Sequence, residues 1–168
     1  MPNKTLRGNV DILIAKEGYA LNPLAPTAAE LNATSFVTNI SCAVNDEFNI
    51  NLVDPDTDST MSVCDTAEVE TPTFANYEVS FNVFRDADPT AIAGVYNKAL
   101  ALIAHPGITQ YVIVRIGKAQ GSTFATGDIV SIFGVKTDYA VDVTDPGAPM
   151  QVGARYKPIG SFVVEKVI

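Results

Sequence analysis

The residues from Asn76 to Phe84 alternate between polar and apolar side chains, with Tyr77, Val79, Phe81 and Val83 in one set and Asn76, Glu78, Ser80 and Asn82 in the other. Successive side chains of a β-strand point to opposite faces, so this pattern predicts a strand with one buried and one solvated face. Less regular patterns predict further strands over Val10–Ala15, Ser35–Ile40, Glu47–Val53, Gln110–Ile116, Asp128–Val135, Asp138–Val143, Gln151–Lys157 and Ser161–Val167. Turn-forming residues separate many of these segments, which indicates a multi-stranded antiparallel sheet.

One segment has helical spacing instead. Asp88 followed by Pro89 is typical of a helix N-terminus, and apolar residues then recur at helical intervals as far as Ile103. We predict one amphipathic helix of about four turns over Asp88–Ala104. The fold class is therefore mainly β, an antiparallel β-sandwich or barrel with one flanking α-helix. A length of 168 residues suits a single domain over residues 1–168. The segment Glu17–Thr34, which includes a short polar-apolar run at Thr27–Leu31, is predicted as an ordered loop or a short helix.

The acidic residues are concentrated in one part of the chain. The net charge is −8, and the stretch from Glu17 to Phe84 holds eleven acidic residues and no basic one. This distribution disfavours any sequence-independent grip on nucleic acid, and no apolar run is long enough to cross a membrane. A long acidic loop or hairpin arm is predicted at about residues 54–73, where acidic residues and Pro outnumber apolar anchors. A solvated, mobile acidic loop without a binding role is an equally good interpretation.

The sequence offers little for catalysis. His105 is the one histidine, and Cys42 and Cys64 stand apart from any metal-binding or nucleophile motif. Both thiols are predicted to be buried. The acidic segment that begins at Asp54 lacks the glycine and the final glutamate of a calcium-binding loop. We therefore predict no enzymatic activity, no metal site and no cofactor.

Several segments between Ala75 and the C-terminus follow a distinctive order. They are Ala75–Asp86, the helix beginning at Asp88–Pro89, Tyr111–Gly117, Gly127–Val135 and Gly153–Phe162. This order resembles that of the major tail, or tail tube, proteins of bacteriophages with long, non-contractile tails. The resemblance covers more than half of the chain.

The resemblance implies a structural virion protein that self-assembles into hexameric rings. The rings would stack into a hollow tube through which double-stranded DNA passes without specific binding. Candidate residues lining the lumen are Asp46, Glu47, Asn76, Glu78, Ser80 and Asn82. Candidate residues for contacts between rings are Asp54, Asp56, Asp58, Asp65, Glu68 and Glu70. The implied partners are further copies of the chain and the tape-measure, tail-tip and tail-terminator proteins. The implied location is the virion tail, after synthesis in the host bacterial cytoplasm, with no membrane association.

Alternatives from other classes remain open. A soluble β-sandwich module that binds a ligand such as a carbohydrate usually displays aromatic side chains in a groove. This chain has no Trp, and four of its six Tyr residues, Tyr77, Tyr96, Tyr111 and Tyr156, occupy positions predicted to be buried. Another virion protein, such as a head decoration subunit, shares the structural class and differs in assembly geometry. A hydrolase acting through carboxylates is disfavoured because no pair of nucleophile and base emerges.

Overall fold

The computed structural model describes residues 7–59, 61, 63–64, 71–143 and 148–168. A 3₁₀ turn at Arg7–Asn9 precedes the first strand. The strands and helices are β1 (Val10–Ala15), α1 (Ala28–Leu31), β2 (Val37–Asn39), β3 (Asn49–Asp58), β4 (Thr71–Phe84), α2 (Val95–Ile103), β5 (Thr109–Ile116), β6 (Ile129–Thr137), β7 (Val141–Val143) and β8 (Gln151–Val167). All strand pairs are antiparallel, in the order β2-β1-β5-β6-β8-β4-β3, with β7 also paired to β8. The predicted fold class is confirmed.

The long strand β8 joins the two halves of this sheet. Its first residues, Gln151–Arg155, pair with β4, whereas Tyr156–Val167 pair with β6. The sequence predicted two strands here because Pro158 interrupts the pattern. The structure has one continuous strand, in which Pro158 lies at a register shift opposite Val135. A bulge tolerates proline because the regular ladder of hydrogen bonds is already interrupted there.

The halves of the sheet pack face to face around the main core. Side chains from β1, β5 and β6 meet those from β3, β4 and β8 in one cluster, and α2 adds Ala99 and Ile103. The opposite face of β1, β5 and β6 is buried as well, under a second cluster that includes Leu21, Leu31 and Phe124. Leu31 belongs to α1, which has a capping box formed by Thr27 and Glu30. The central strands are thus covered on both faces.

The helix α2 is shorter than predicted. It begins after Gly94 and contains nine residues, not the segment Asp88–Ala104. Asp88 Oδ1 accepts hydrogen bonds from the backbone N–H and the hydroxyl of Thr90. Asn97 Nδ2 donates to the carbonyls of Asp88 and Ala91, at 2.9 and 3.1 Å. The Asp88–Pro89 pair therefore opens a separate turn, which a side chain of α2 holds in place.

The side chain of Tyr77 links β4 to β6 and β8. Its hydroxyl donates to the Gly134 carbonyl on β6 and accepts from the Ile159 N–H at 3.0 Å. Its ring packs against Phe133 and Phe162, with centroid distances of 5.5 and 5.2 Å. Burial raises the pKa of this hydroxyl and outweighs the hydrogen bonds that lower it. It therefore stays protonated at neutral pH and can both donate and accept.

Removal of the hydroxyl should have different effects on stability at the two buried tyrosines, Tyr77 and Tyr156. Tyr77→Phe leaves the Gly134 carbonyl and the Ile159 N–H without their partner and lowers the free energy of unfolding by about 1–3 kcal/mol. Tyr156→Phe is the matched control, because the Tyr156 hydroxyl has no hydrogen-bond partner in the described part of the chain. Its removal leaves stability unchanged or raises it by about 1 kcal/mol. Urea denaturation of both variants measures the difference, and equal losses would contradict the prediction.

The buried side chain of Arg115, on β5, contacts both β1 and the segment between β5 and β6. Arg115, at 1% side-chain exposure, forms ion pairs with Asp11 on β1 and with Asp128, the latter at 3.1 Å. Its guanidinium also donates to the backbone carbonyl and hydroxyl of Ser122 and lies 4.2 Å above the centre of the Phe124 ring. These contacts come from β1 and from the segment between β5 and β6. They neutralise the charge of the guanidinium and provide hydrogen-bond acceptors, which offsets the unfavourable free energy of burying it.

The remaining carboxylate oxygens of this cluster are also satisfied. Asp11 Oδ1 accepts from the Gly121 N–H at 2.7 Å and from the Asn39 side chain at 2.8 Å. Burial alone raises the pKa of Asp128, but the Ala125 N–H, the Arg115 guanidinium and the Lys118 ammonium together hold it below its ordinary value. The cluster therefore favours the ionised form of Asp128.

This lowered pKa predicts a dependence of stability on acid. The stabilisation from the Asp128 carboxylate is complete above the unfolded-state pKa and is lost as the pH falls through the lower folded-state pKa. Asp128→Asn removes the titrating group, so this variant should lose less stability than the unmodified protein between about pH 6 and pH 3. Denaturant midpoints at the two pH values measure this loss. Asp142→Asn, at an exposed carboxylate paired with Arg85, is the control and should leave the loss near that of the unmodified protein.

Candidate assembly surfaces

Polar side chains on β3 and β4 form a continuous patch, here called the polar face, made of Asn49, Asn51, Asn76, Glu78, Ser80 and Asn82. In the antiparallel register Asn51 lies opposite Glu78, and Asn49 lies opposite Ser80. Directly opposed residues share one face of a sheet. Asn49 Nδ2 donates to Glu78 Oε2 at 3.0 Å, and Asn51 Nδ2 donates to Asn49 Oδ1 at 2.9 Å. The polar face is thus linked across both strands.

The structure brings the four predicted residues of β4 together on this face. Glu78 is exposed, while Asn76, Ser80 and Asn82 are half-buried. The alternate side chains, Tyr77, Val79, Phe81 and Val83, are buried in the main core. Sequence analysis did not identify Asn49 and Asn51. The alternation of Asn49 and Asn51 around the buried Ile50 was a signal that could have found them.

Asp46 and Glu47 lie where the chain approaches the end of β4. Just before them, the Asn45 N–H donates to the Asn82 carbonyl at 2.8 Å. Glu47 lines a shallow groove of about 270 Å³ together with Ser80, Asn82 and Arg155, beside the polar face. Asp46 lines a different groove, of about 370 Å³, which also includes Phe48. The structure therefore places Glu47 next to Ser80 and Asn82 of β4.

The strand β3 extends beyond Val53 and includes several of the predicted acidic residues. Asp54, Asp56 and Asp58 belong to this strand, which pairs with β4 as far as Asp58 opposite Thr71, with register shifts on the way. The two strands form a hairpin arm, whose described tip includes the exposed residues Met61 and Val63. The predicted residues Asp65, Glu68 and Glu70 lie outside the described residues.

The sheet has open edges. β2 and β3 end the strand order, and in the described part of the chain β2 pairs only with β1 and β3 only with β4. The outer edge of a terminal strand presents backbone N–H and C=O groups that can pair with another chain. These edges and the polar face are the surfaces most suited to contacts between copies.

The cysteines differ from their prediction. Cys42 and Cys64 are both exposed, because each lies in a turn at the molecular surface and not within a strand or helix. His105, just beyond α2, is exposed as well. Among the described residues, no group of histidine, cysteine and acidic side chains is arranged to hold a metal ion. In the same part of the chain, no helix has the length and apolar character needed to span a membrane.

Comparison with known protein families decides between the structural classes. A family model described as phage tail tube protein matches residues 1–165. The chain belongs to the phage tail tube protein family. A search of curated proteins finds no match. The family match extends through β1 and the acidic stretch before Ala75, which the resemblance between Ala75 and the C-terminus did not include. As a tail tube protein, the chain is a structural component of the virion tail.

Proposed function

We propose that this protein forms hexameric rings that stack into the tube of a long, non-contractile phage tail, and that DNA passes through the tube during delivery. The open edges of the sheet at β2 and β3 carry this proposal. Unpaired edges are a liability for an isolated subunit, whereas closing a ring pairs them with neighbouring copies. The family match supports the same assembly.

The polar face is proposed to line the lumen, with Asp46 and Glu47 at its margin. Each phosphate that a lysine or arginine neutralises adds to the affinity for DNA and would slow its passage. The six residues of the polar face include a carboxylate, amides and a hydroxyl but no base, and Arg155 of β8, opposite Ser80, is the basic residue at its margin beside Glu47. The eleven acidic residues between Glu17 and Phe84, without any basic residue, support this orientation.

The hairpin arm is proposed to contact the next ring through its acidic residues Asp54, Asp56, Asp58, Asp65, Glu68 and Glu70. Mutual repulsion between acidic arms slows the association of free subunits until a partner is present. The proposed partners are the tape-measure, tail-tip and tail-terminator proteins. The protein acts as a structural element and not as an enzyme, and it is made in the host cytoplasm before it enters the virion.

Light scattering coupled to size-exclusion chromatography, followed by negative-stain electron microscopy, tests the assembly. We expect rings with a central hole, or tubes, in concentrated or aged samples or after addition of the tape-measure and tail-tip proteins. A species that remains monomeric under all of these conditions would overturn the proposal. Globular assemblies without a central hole would favour a head decoration subunit.

A further inference from the structure

A groove of about 720 Å³ runs between the edge strand β2 and the helix α2. One wall includes Val37 of β2, and the other includes Leu100 and Leu102 of α2. Ile92, in the loop before α2, lies at its margin with 82% of its surface exposed. An apolar side chain this exposed beside a groove provides contact area for another molecule.

The charged residues that line this groove are all basic. Lys16 and Lys98 contribute to its lining, and no carboxylate among the described residues does. The Lys16 ammonium donates to the Ser35 carbonyl at 3.2 Å, and this bond holds the ammonium beside the segment that precedes β2. Neither lysine forms an ion pair in the part of the chain that the structure describes. In a protein with a net charge of −8, two lysines thus line this groove, and Asp88, next to the lining residue Pro89, is a carboxylate that flanks it.

The hairpin arm has the complementary chemistry. Leu52 of β3 is 49% exposed, the described tip adds the exposed side chains of Met61 and Val63, and Asp54 lies two residues beyond Leu52. Asp58, near the far end of the strand, is also exposed. The arm thus combines apolar side chains and carboxylates, whereas the groove combines apolar side chains and ammonium groups. Such matching favours association and fixes its orientation.

We propose that the groove between β2 and α2 receives the acidic β3–β4 arm of a second copy of this chain. Lys16 and Lys98 pair with the arm carboxylates, and Leu52, whose side chain is on the opposite face of β3 from the polar face, covers the apolar walls. Within one copy, no ion pair of the described residues joins a carboxylate of β3 to either lysine. This inference rests on the proposed stacking of rings and names the surface that accepts the arm.

A charge exchange tests this pairing. Lys16→Glu with Lys98→Glu, and separately Asp54→Lys with Asp58→Lys, should each raise the protein concentration needed for tube growth about tenfold or more. Combining all four substitutions should restore growth, because the charges are again opposite. Lys136→Glu with Lys157→Glu, at two exposed lysines outside the groove, makes the same change in net charge, is the matched control and should leave growth near that of the unmodified protein. A combined variant that grows no better than either double variant would overturn the proposal.

Zero-length cross-linking tests it without any substitution. Tubes assembled from a mixture of ¹⁴N- and ¹⁵N-labelled protein are treated with a carbodiimide, which joins a carboxylate to a lysine in contact with it. Mass spectrometry should find arm peptides linked to peptides containing Lys16 or Lys98, in mixed-isotope pairs. Links from these lysines to other segments only, or links within one isotope only, would overturn the proposal. Because the cross-linking uses tubes of the unmodified protein, either result leaves the proposed assembly standing, whereas an absence of tubes speaks against the assembly itself.

Discussion

Replacing Arg115 with alanine should lower the free energy of unfolding by about 3–5 kcal/mol, the usual cost of removing one partner from a buried ion pair. The substitution leaves the carboxylates of Asp11 and Asp128 without their shared cation, at side-chain exposures of 1% and 4%. It also removes the donors to Ser122 and the contact with the Phe124 ring. This loss is a large share of the stability of a typical domain, about 5–15 kcal/mol. Urea denaturation at neutral pH measures it.

Lys118→Ala is the matched control, because it also removes a positive charge that lies beside the Asp128 carboxylate. Lys118 is 59% exposed and lies 3.5 Å from Asp128 Oδ1. Because the Lys118 ammonium stays in contact with solvent, although Asp128 is buried, this pair should contribute about 1 kcal/mol, well below the buried Arg115 contacts. Arg115→Lys should also destabilise strongly, because an ammonium cannot contact Asp11, Asp128 and Ser122 at once as the guanidinium does. If Arg115→Ala lowers the free energy of unfolding no more than Lys118→Ala does, the buried cluster does not stabilise the fold as its contacts indicate.

Reversing the charge of Glu47 and Glu78 together should reduce phage infectivity by orders of magnitude while the tail still assembles. Under the proposed orientation, Glu47→Lys with Glu78→Lys places two ammonium groups per subunit on the lumen surface, repeated in every ring. Each phosphate they neutralise releases counterions and strengthens DNA binding, so that many weak contacts add along the tube. Plaque titre and the rate of DNA ejection triggered in vitro are the measurements.

The control for this experiment is an equal reversal elsewhere, Glu17→Lys with Glu165→Lys, at two exposed residues outside the polar face. This pair makes the same change in net charge and should leave ejection near that of the unmodified phage. Raising the salt concentration should partly restore ejection by the lumen variant, since screening weakens phosphate contacts. Normal titre and ejection for the lumen variant, in tails of normal length, would contradict the proposed orientation of the polar face.

Burial patterns that repeat along one strand could be predicted from the sequence. The period of two in β4 reports which side chains face the core, so the four polar residues of that strand were found together. The shorter alternation around Ile50 carries the same information over fewer residues, and Asn49 and Asn51 were missed. The volume between β2 and α2 could not be predicted, because it depends on how two elements distant in the chain pack together.

Local signals failed where one pattern fits two structures. Asp88 followed by Pro89 suits the start of a helix and equally suits a turn, and the hydroxyl of Thr90 decides for the turn by binding the Asp88 carboxylate. Pro158 suggested the end of a strand, yet a bulge accommodates it. Asp11 and Arg115 each stand alone among apolar residues of a buried strand, which was a signal for a buried pair. Their separation of 104 positions in the chain hid the partnership.

The sharing of β8 between the two halves of the sheet has a mechanical consequence. A seventeen-residue strand that pairs with β4 along one part and with β6 along another joins the halves without an intervening loop. Because both halves also bury one common core, separating them would expose it, so we expect the subunit to move as one body. We expect a filament built from such subunits to bend through small displacements at its joints, while each building block keeps its shape.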